Sequence, residues 1–352
     1  MMDLKEFQGV FQPVLNKCLR AKQKETNALT DLHLRSFVSY PEQLLKRGKR
    51  IRPYLAAVMA QLRPSELKTA RYTHPLVALE LFHLFGLIHD DVFDRGKTRH
   101  GVPTIHEKIL RTYHKAKRDG DVPRHAESLA ILMGDYVYTW VFELLTDPVI
   151  PTEVQRRLRQ EFLQMARDVL FGQMIDIDLT TRPNTTTETI NTKMELKTAS
   201  YTFIRPMRFG VALRGNHPDH CHFCDRFGKE IGIAFQIQDD YLDIIAPPTK
   251  TGKPQLNDVQ ERQHTYFTQF IQDHGTTKQK QQLHRHFGTC LTTTQRKELK
   301  TLFQESGAIY HGTTEIIKHL ARAETILNKS SQSKAIKTQL TALIDLLRER
   351  MV

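Results

Sequence analysis

Residues 75–93 read PLVALELFHLFGLIHDDVF, a stretch with apolar side chains on almost every face of a helix. A helix that is apolar all round must be buried on all sides. Two further stretches have the same character: 127–146 and 226–246. Three others are amphipathic at helical spacing: 154–178, 297–327 and 334–350. Because no segment alternates as strands do, the pattern predicts an all-α fold.

Short stretches with turn-forming residues separate these helices, and none of the stretches is long enough to be a flexible linker. The four densest are 95–103, 118–124, 180–189 and 247–254. We therefore expect one all-α domain over residues 1–352, with about the first 25 residues peripheral.

The chain carries a formal net charge of +12 at pH 7. Such an excess indicates an anionic partner or a solvated basic surface. Zinc-finger, basic-zipper and RNA-binding signatures are missing, so we do not expect nucleic acid as the partner. The sequence contains no run of about 18 apolar residues, so we expect no membrane span. Residues 1–8 lack the apolar core of a signal peptide, and the cysteine usage fits a reducing, cytoplasmic location.

Three carboxylates end the first apolar helix, in the stretch His-Asp-Asp-Val-Phe-Asp at residues 89–94. Residues four apart share a helical face, so Asp90 and Asp94 project together with Asp91 beside them. Negative charge at a helix C-terminus is unfavourable unless a cation binds. Mg²⁺ takes oxygen ligands and is commonly shared between carboxylates and substrate phosphates. The cluster therefore predicts a magnesium site for a phosphorylated substrate.

The same arrangement returns at Asp239, Asp240 and Asp243, again at the end of an apolar helix. If the two helices face each other, six carboxylates line one cavity and raise one another's pKa. Metal ions remove that penalty. One such cluster alone is also consistent with a solvated helix end, but a second copy at an equivalent place favours metal binding and a diphosphate substrate.

Basic residues accompany both clusters. Lys49 and Arg52 lie three apart in Gly-Lys-Arg-Ile-Arg-Pro and are expected on one helical face. Arg99 follows the first cluster in the turn Arg-His-Gly-Val-Pro-Thr, and Lys197 and Lys253 occur later. Each alone is typical of surface charge. Together they indicate that phosphate oxygens are held beside the metal.

With these motifs, the chain from about residue 40 to about residue 325 resembles the trans-isoprenyl diphosphate synthases. The resemblance rests on motifs in the family's order: Gly48–Pro53, both aspartate clusters, the Arg99–Thr104 turn, Gly134-Asp135, Gly172-Gln173 with Asp176, and Lys197-Thr198. It implies an isoprenoid synthase fold, with antiparallel helices around a deep central cavity, usually in a homodimer. It also implies a prenyltransferase that uses about three Mg²⁺ per active site.

The reaction that the resemblance implies is the condensation of isopentenyl diphosphate with an allylic diphosphate. Electron density is drawn to the leaving diphosphate, an allylic carbocation forms, and the double bond of isopentenyl diphosphate attacks it. Loss of one proton restores the alkene. The enzyme contributes leaving-group electrostatics, orientation and exclusion of water.

The resemblance also assigns roles by position. The main metal ligands are Asp90, Asp94 and Asp239, assisted by Asp91, Asp240 and Asp243. The isopentenyl diphosphate group is bound by Lys49, Arg52, His83 and His100. The allylic diphosphate is bound by Arg99, Lys197 and Lys253. The catalytic cavity is lined by Gln173, Asp176, Thr198, Tyr201, Phe235 and Gln236.

Two positions depart from the family's pattern. His100 stands where the family usually has a second arginine, and it donates hydrogen bonds more strongly when protonated. Gln263, five residues after Asp258, stands where the family usually has a lysine. Both changes reduce the positive charge beside the diphosphates, and they could mark a partner-dependent subunit. Since both aspartate clusters are complete, an active enzyme is expected.

Phe85 is the candidate that sets product length. It lies five residues before Asp90, about 7.5 Å deeper along the helix at roughly 1.5 Å per residue. A ring at this depth can form a floor, with Gly86 beside it, although Phe85 could also be ordinary core. In family terms, one aromatic at this depth with Gly beside it and no two-residue insertion in the first cluster resembles short-chain synthases that make geranylgeranyl diphosphate. Farnesyl synthases usually have two aromatics, or one aromatic plus the insertion.

The sequence is also compatible with three alternatives: a farnesyl or longer-chain synthase, a class I terpene cyclase, and a non-catalytic subunit of a heteromeric synthase. A cyclase usually has an Asn/Asp-based second motif with Ser and Glu at fixed spacing. A non-catalytic subunit would be indicated by lost aspartates. The intact second cluster favours chain elongation over both.

Overall fold

A computed structural model of the chain describes residues 2–26, 40–45, 48–99, 101–215, 218–247 and 254–350. Most of these residues are helical, which confirms the all-α prediction. They fall into two compact units. Unit 1 comprises residues 1–159 and 212–215, and unit 2 comprises residues 160–211 and 216–352. The expectation of a single domain stays a prediction.

Unit 1 is organised around two long apolar helices. Its helices are α1 (Leu4–Thr26), α2 (Tyr40–Leu44), α3 (Ile51–Met59), α4 (Ala70–Phe93), α5 (Ile105–Lys115), α6 (Val122–Leu145) and the first turns of α7 (Thr152–Leu179), with a short 3₁₀ turn at Glu66–Lys68. Helix α4 packs along α6, and α5 packs against α6 as well. The stretch predicted at 75–93 is the greater part of α4, whose Leu76, Leu79 and Leu84 are fully buried. This burial satisfies the all-round apolar pattern.

Helix α1 contributes to the core of unit 1. Phe7, Phe11 and Leu15 lie on one helical face at i, i+4 and i+8 spacing and have no exposed surface. The ring of Phe7 packs against Tyr54 of α3 with centroids 5.6 Å apart. The residues that were expected to be peripheral therefore supply buried side chains to this unit.

A short β-hairpin follows the first aspartate cluster, where the sequence predicted only a turn. Strand β1 (Thr98–Arg99) pairs antiparallel with β2 (Val102–Pro103). Gly101 has a φ of 79°, which glycine adopts without steric cost. The pairing brings Arg99 back toward the end of α4.

Unit 2 contains the remaining helices. They are the rest of α7, α8 (Thr187–Met194), a π-helix (Glu195–Ile204), most of α9 (Arg205–Arg214), α10 (Pro218–Ile245), α11 (Asn257–Gln260), α12 (Tyr266–His274), α13 (Thr277–His286), α14 (Thr293–Glu305), α15 (Ala308–Lys329) and α16 (Lys334–Glu349). Helix α10 packs against both α15 and the π-helix. The stretch 297–327 was predicted as one helix, but the structure divides it between α14 and α15. The break lies at Gly307, which adopts a φ of 79°.

Helix α6 is the one described helix that is long and apolar enough to cross a membrane by length and composition. Its residues Val137, Trp140 and Val141 are buried, and it packs along α4. That packing is the behaviour of a core helix. The cytoplasmic location stays a prediction.

Candidate active site

The aspartates of unit 1 lie at the C-terminal end of α4. Asp90 and Asp94 are partly exposed, whereas Asp91 is only 3% exposed. Arg99 Nε donates to Asp91 Oδ1 at 2.7 Å, while Asp91 Oδ2 is buried with no hydrogen-bond partner in the described residues. Burial raises the pKa of Asp91, although Arg99 opposes the rise. The structure therefore pairs a predicted metal ligand with a predicted diphosphate ligand.

The end of α4 is held against α6 through His89. Its Nδ1–H donates to the Phe85 carbonyl at 3.0 Å, and its Nε2 lies 3.3 Å from Asp135 Oδ1. The ring lies against Gly134, where an added Cβ would come within 2.4 Å of a ring carbon. Gly134 is thus needed for this close approach. His89 was not among the predicted site residues.

Phe85 belongs to an aromatic cluster formed by α4 and α6. It stacks on Phe82 at 5.6 Å and 11°, and its centroid lies 4.9 Å from that of Tyr138. Phe82 is fully buried, whereas Phe85 and the adjacent Gly86 are half-buried. The ring of Phe85 is therefore supported from two sides. Its role in setting product length stays a prediction.

The sites predicted for isopentenyl diphosphate differ from the expected helical geometry. Helix α3 begins at Ile51, and Arg50 before it has a left-handed φ of 54°. Lys49 therefore precedes the helix, and the expectation that Lys49 and Arg52 share one helical face is wrong. Lys49 is exposed, whereas Arg52 and His83 are half-buried. The predicted ligands His100 and Lys253 lie outside the described residues.

Arg50, the middle residue of the basic motif, forms a buried ion pair. Its Nη1 lies 2.7 Å from Glu80 Oε2, and both side chains are 2% exposed. Its Nε donates to Gln12 at 3.0 Å, and Nη2 donates to the Leu45 carbonyl. These contacts tie the residue before α3 to α1, to α4 and to the residue that follows α2. Removing one partner of a buried ion pair lowers the free energy of unfolding by about 3–5 kcal/mol. We therefore assign Arg50 to stabilising the fold.

In unit 2, Asp239 pairs with an arginine at the end of α16. Arg350 Nη2 donates to Asp239 Oδ1 at 2.8 Å, and its guanidinium lies 5.1 Å from the centre of the Phe235 ring. Gln238 Nε2 donates to the Leu347 carbonyl at 2.7 Å, which holds the end of α16 beside α10. A positive charge thus already lies at one oxygen of the first carboxylate.

Asp240 and Asp243 form the more buried part of this cluster. Asp240 accepts from Gln236 Nε2 at 2.7 Å, and Asp243 accepts from the backbone N–H groups of Asn257 and Asp258. Burial raises the pKa of both carboxyls, and the nearby Asp258 carboxylate adds to the rise. The expected mutual repulsion among all six carboxylates stays a prediction.

A hydrogen-bonded chain joins this cluster to the π-helix. Thr198 Oγ1 donates to Gln236 Oε1, and Gln236 in turn donates to Asp240. Thr198 and Tyr201 are buried on the π-helix, and Gln173 is half-buried on α7. Single stretches of π-helix occur often at functional sites. Thr198 and Gln236, which were both predicted to line the cavity, are in direct contact.

Asp176 binds two lysines at once. Lys193 Nζ lies 2.9 Å from its Oδ1, and Lys197 Nζ lies 2.5 Å from its Oδ2. Lys193 also donates to the His264 carbonyl at 2.6 Å. Burial alone would raise the pKa of Asp176, but the two lysines hold it at about 2. Lys197 reaches this position because Gly172 leaves room for its backbone: an added Cβ would lie 2.5 Å from Lys197 N.

The acidic side chains fit a hard cation, although the described residues contain no preassembled group of three or more metal-binding side chains. Within the described residues Asp91 Oδ2 is buried without a hydrogen-bond partner, and the carboxyls of buried Asp240 and half-buried Asp243 have raised pKa values beside Asp258. A cation would relieve each of these unfavourable charges. Mg²⁺ usually takes one or two carboxylates and completes its shell with water and substrate phosphates. The donor set therefore fits Mg²⁺ without a closed protein cage.

Residues 36–306 match the sequence profile of the polyprenyl synthetase family. That span covers most of the chain. The chain belongs to the polyprenyl synthetase family. Its membership confirms the resemblance seen in the motifs and the class of enzyme, a prenyltransferase.

The relatives of this chain include proteins named for different products. A geranylfarnesyl diphosphate synthase from Natronomonas pharaonis is 31% identical over 65% of this chain and 66% of its own length. A geranylgeranyl diphosphate synthase from Methanosarcina mazei is 32% identical over 65% of this chain and 67% of its own length. These alignments thus span about two thirds of each relative.

A solved structure supports the fold across the whole polyprenyl synthetase chain. A geranylgeranyl pyrophosphate synthase from Corynebacterium glutamicum, complexed with isoprenyl diphosphate and magnesium, matches with a TM-score of 0.92. The two sequences are 26% identical, and the match covers 99% of this chain and 100% of the other. The predicted isoprenoid synthase fold is confirmed.

Besides His89, two residues at the candidate site were missed by the sequence analysis. Lys193 lies four residues before Lys197, so helical spacing was a usable signal. Arg350 is 111 residues from its partner Asp239, and no local pattern joins them.

Proposed function

We propose that the protein catalyses the Mg²⁺-dependent head-to-tail (1′-4) condensation of isopentenyl diphosphate with an allylic diphosphate. The observation that carries this proposal is the crowding of carboxyls at the end of α10: Asp240 is buried, Asp243 is half-buried, and the Asp258 carboxylate lies close enough to raise the pKa of both. Carboxylates placed at the end of an apolar helix need a cation. A diphosphate substrate supplies the remaining ligands that Mg²⁺ requires. Membership of the polyprenyl synthetase family supports this choice of substrate.

The proposed metal ligands are the two aspartate clusters, with Asp90, Asp94 and Asp239 as the main ones and about three Mg²⁺ per active site. Bound magnesium supplies Lewis acidity that stabilises negative charge on the leaving diphosphate. Arg99 and Lys197 are proposed to donate to diphosphate oxygens, with Lys253 completing this group. Both described residues pair with a carboxylate, which keeps their long side chains oriented before substrate binds.

In the proposed reaction, the C1–O bond of the allylic diphosphate breaks and a C–C bond forms with the double bond of isopentenyl diphosphate. One proton then leaves the new chain for the departing diphosphate. The contact between Thr198 and Gln236 fixes two uncharged oxygen-bearing side chains that are proposed to line the catalytic cavity. Such groups stabilise positive charge by their dipoles without acting as strong nucleophiles.

The proposed main product is geranylgeranyl diphosphate. Phe85 is the proposed floor, and the rings of Phe82 and Tyr138 support it in a fixed position. Relatives of nearly equal identity make the geranylgeranyl and the geranylfarnesyl product, so geranylfarnesyl diphosphate is the second candidate. The depth of the floor, rather than the metal site, would separate these two products.

The protein is further proposed to form a homodimer. Helix α7 exposes large apolar side chains along one stripe: Leu163, Leu170, Phe171, Met174 and Ile177. An exposed apolar stripe of this length marks an interaction surface in a water-soluble protein. A second copy of the chain would cover it with an identical stripe about a twofold axis.

The test is an elongation assay with purified protein, MgCl₂, labelled isopentenyl diphosphate and each allylic primer in turn. We expect all-trans products that accumulate at geranylgeranyl diphosphate. Asp239→Asn should lower turnover by about 100-fold or more, because it removes a charge that acts on the leaving group. Asp345→Asn, at an exposed aspartate of the same unit, is the matched control and should be fully active.

Two outcomes would overturn the proposal. Folded wild-type protein that elongates none of the primers is not a prenyl diphosphate synthase by itself. Release of a cyclic hydrocarbon from the primer alone would indicate a terpene cyclase.

A further inference from the structure

Lys193 and Lys197 share one buried carboxylate, and their surroundings differ. The Lys193 side chain is 11% exposed, whereas that of Lys197 is 28% exposed. Lys193 directs Nζ to Asp176 and to the His264 carbonyl, so it faces the protein interior. Lys197 is the lysine that an entering anion can reach.

The charge balance of this group explains why two lysines are present. Asp176, with its pKa held at about 2, is a full carboxylate at neutral pH. If Lys197 were its only partner, the pair would be close to neutral and would attract an anion weakly. With Lys193 on the other oxygen, the three side chains carry a net single positive charge, located toward the exposed side at Lys197.

We propose that Lys193 is a positioning residue that shares the Asp176 carboxylate, so that Lys197 keeps its positive charge for the diphosphate of the allylic substrate. This inference rests on the proposed function of the site. Lys193 does not touch the substrate and takes no part in bond making or breaking. It acts through Asp176, and its positive charge is farther from the substrate than that of Lys197, which binds the diphosphate.

A simpler role would be a mechanical tie. Lys193 joins α8 to α7 through Asp176 and to the segment before α12 through His264. A neutral side chain that still donates hydrogen bonds would preserve much of such a tie. Charge sharing requires the ammonium group itself. Glutamine at position 193 therefore separates the two roles.

The experiment measures the dissociation constant of inorganic diphosphate in excess MgCl₂ by calorimetry. The four proteins are wild type, Lys193→Gln, Asp176→Asn and the double variant. Lys193→Gln should weaken binding about 10- to 100-fold, the effect expected when a charge-assisted contact becomes neutral. The double variant should return to within about threefold of wild type, because Lys197 again has no carboxylate to neutralise it.

Asp176→Asn alone should bind diphosphate at least as tightly as wild type, since both lysines then lack their counter-ion. Its melting temperature should fall, because Lys193 is left as an unpaired buried charge. Lys318→Gln is the matched control: Lys318 forms an ion pair with Glu315 at 2.6 Å on α15 and is 52% exposed. It should bind diphosphate as wild type does.

The order of affinities decides the inference. If Lys193→Gln binds as tightly as wild type, the charge of Lys193 has no role. If the double variant stays as weak as Lys193→Gln, the loss of binding does not come from the Asp176 carboxylate neutralising Lys197, and charge sharing is wrong. In either case wild-type elongation still supports the proposed function. The absence of both diphosphate binding and elongation in wild type would overturn that function first.

As a second readout, Lys193→Gln should raise KM for the allylic primer more than it lowers kcat, since the lost charge acts on binding. A change confined to kcat would contradict the assignment. If one variant does not fold, the order of affinities among the others still decides between the two roles.

Discussion

Replacing Asp240 by asparagine is expected to stabilise the metal-free protein above pH 7 while lowering the rate of elongation. Asparagine has nearly the same shape as aspartate, and its carbonyl oxygen can still accept from Gln236 Nε2, now 2.7 Å from Asp240. The substitution therefore removes one negative charge from the cluster and little else. Charge that serves ligand binding often lowers stability in the empty site.

The size of the effect follows from proton affinities. Burial, together with the Asp258 carboxylate, raises the pKa of Asp240 from 3.8 to about 7. At about 1.4 kcal/mol for each tenfold difference, this corresponds to roughly 4 kcal/mol. Neighbouring carboxylates titrate together with Asp240, and its removal also relieves them, so we expect about 2–4 kcal/mol in practice.

The sign is set by which state holds the proton more tightly. Because the pKa of Asp240 is raised on folding, the folded state binds its proton more tightly than the unfolded state. The associated stability is fully present below about pH 4. It is lost as pH rises from there through about pH 7. Asp240→Asn has no proton to lose at this position, so its stability should vary less over that window.

The assay is urea unfolding in EDTA at pH 4.5, 6 and 8. The difference between Asp240→Asn and wild type should grow with pH and reach its maximum near pH 8. Asp345→Asn, an exposed aspartate of the same unit, should differ from wild type by less than about 0.5 kcal/mol at each pH. Mg²⁺ with inorganic diphosphate should stabilise wild type at pH 8 but not Asp240→Asn. Equal pH profiles for the two proteins would refute the reasoning.

Three further predictions follow from the geometry. Phe85→Ala should lengthen the product by at least one isoprene unit, because it removes the proposed floor; unchanged product length by chromatography would contradict that role. Arg350→Gln should lower metal-free stability by about 1 kcal/mol. It should also tighten Mg²⁺ binding in the presence of diphosphate about threefold, because Asp239 no longer has to release an arginine. Calorimetry that shows weaker binding would mean that Arg350 holds the ligand instead. Met174→Glu places a charge in the exposed stripe of α7 and should give a monomer by light scattering, since burial of an unpaired charge is unfavourable. A dimer that persists would place the interface elsewhere.

Local patterns predicted most of the helices. The apolar stretch at 75–93 and the clusters at Asp90 and Asp239 depend on neighbours within one or two helical turns, so sequence reasoning could identify them. It failed where distant residues decide the backbone. Arg50 adopts a φ of 54° while its guanidinium bonds to Glu80 and Gln12, 30 and 38 residues away. That conformation moved Lys49 out of the predicted helix.

The family, the all-α fold and the identity of the acidic and basic residues were therefore determined by the sequence itself. The tertiary structure decided how those charges are shared: Arg99 pairs with Asp91, two lysines share Asp176, and Asp240 lies buried among other carboxylates. The physical reason is that the energy of a charge depends on solvent exclusion and on the charges within a few ångströms of it. In this chain those neighbours lie 8, 17 and 21 residues away in the sequence, beyond one or two helical turns, and no local pattern encodes their distances.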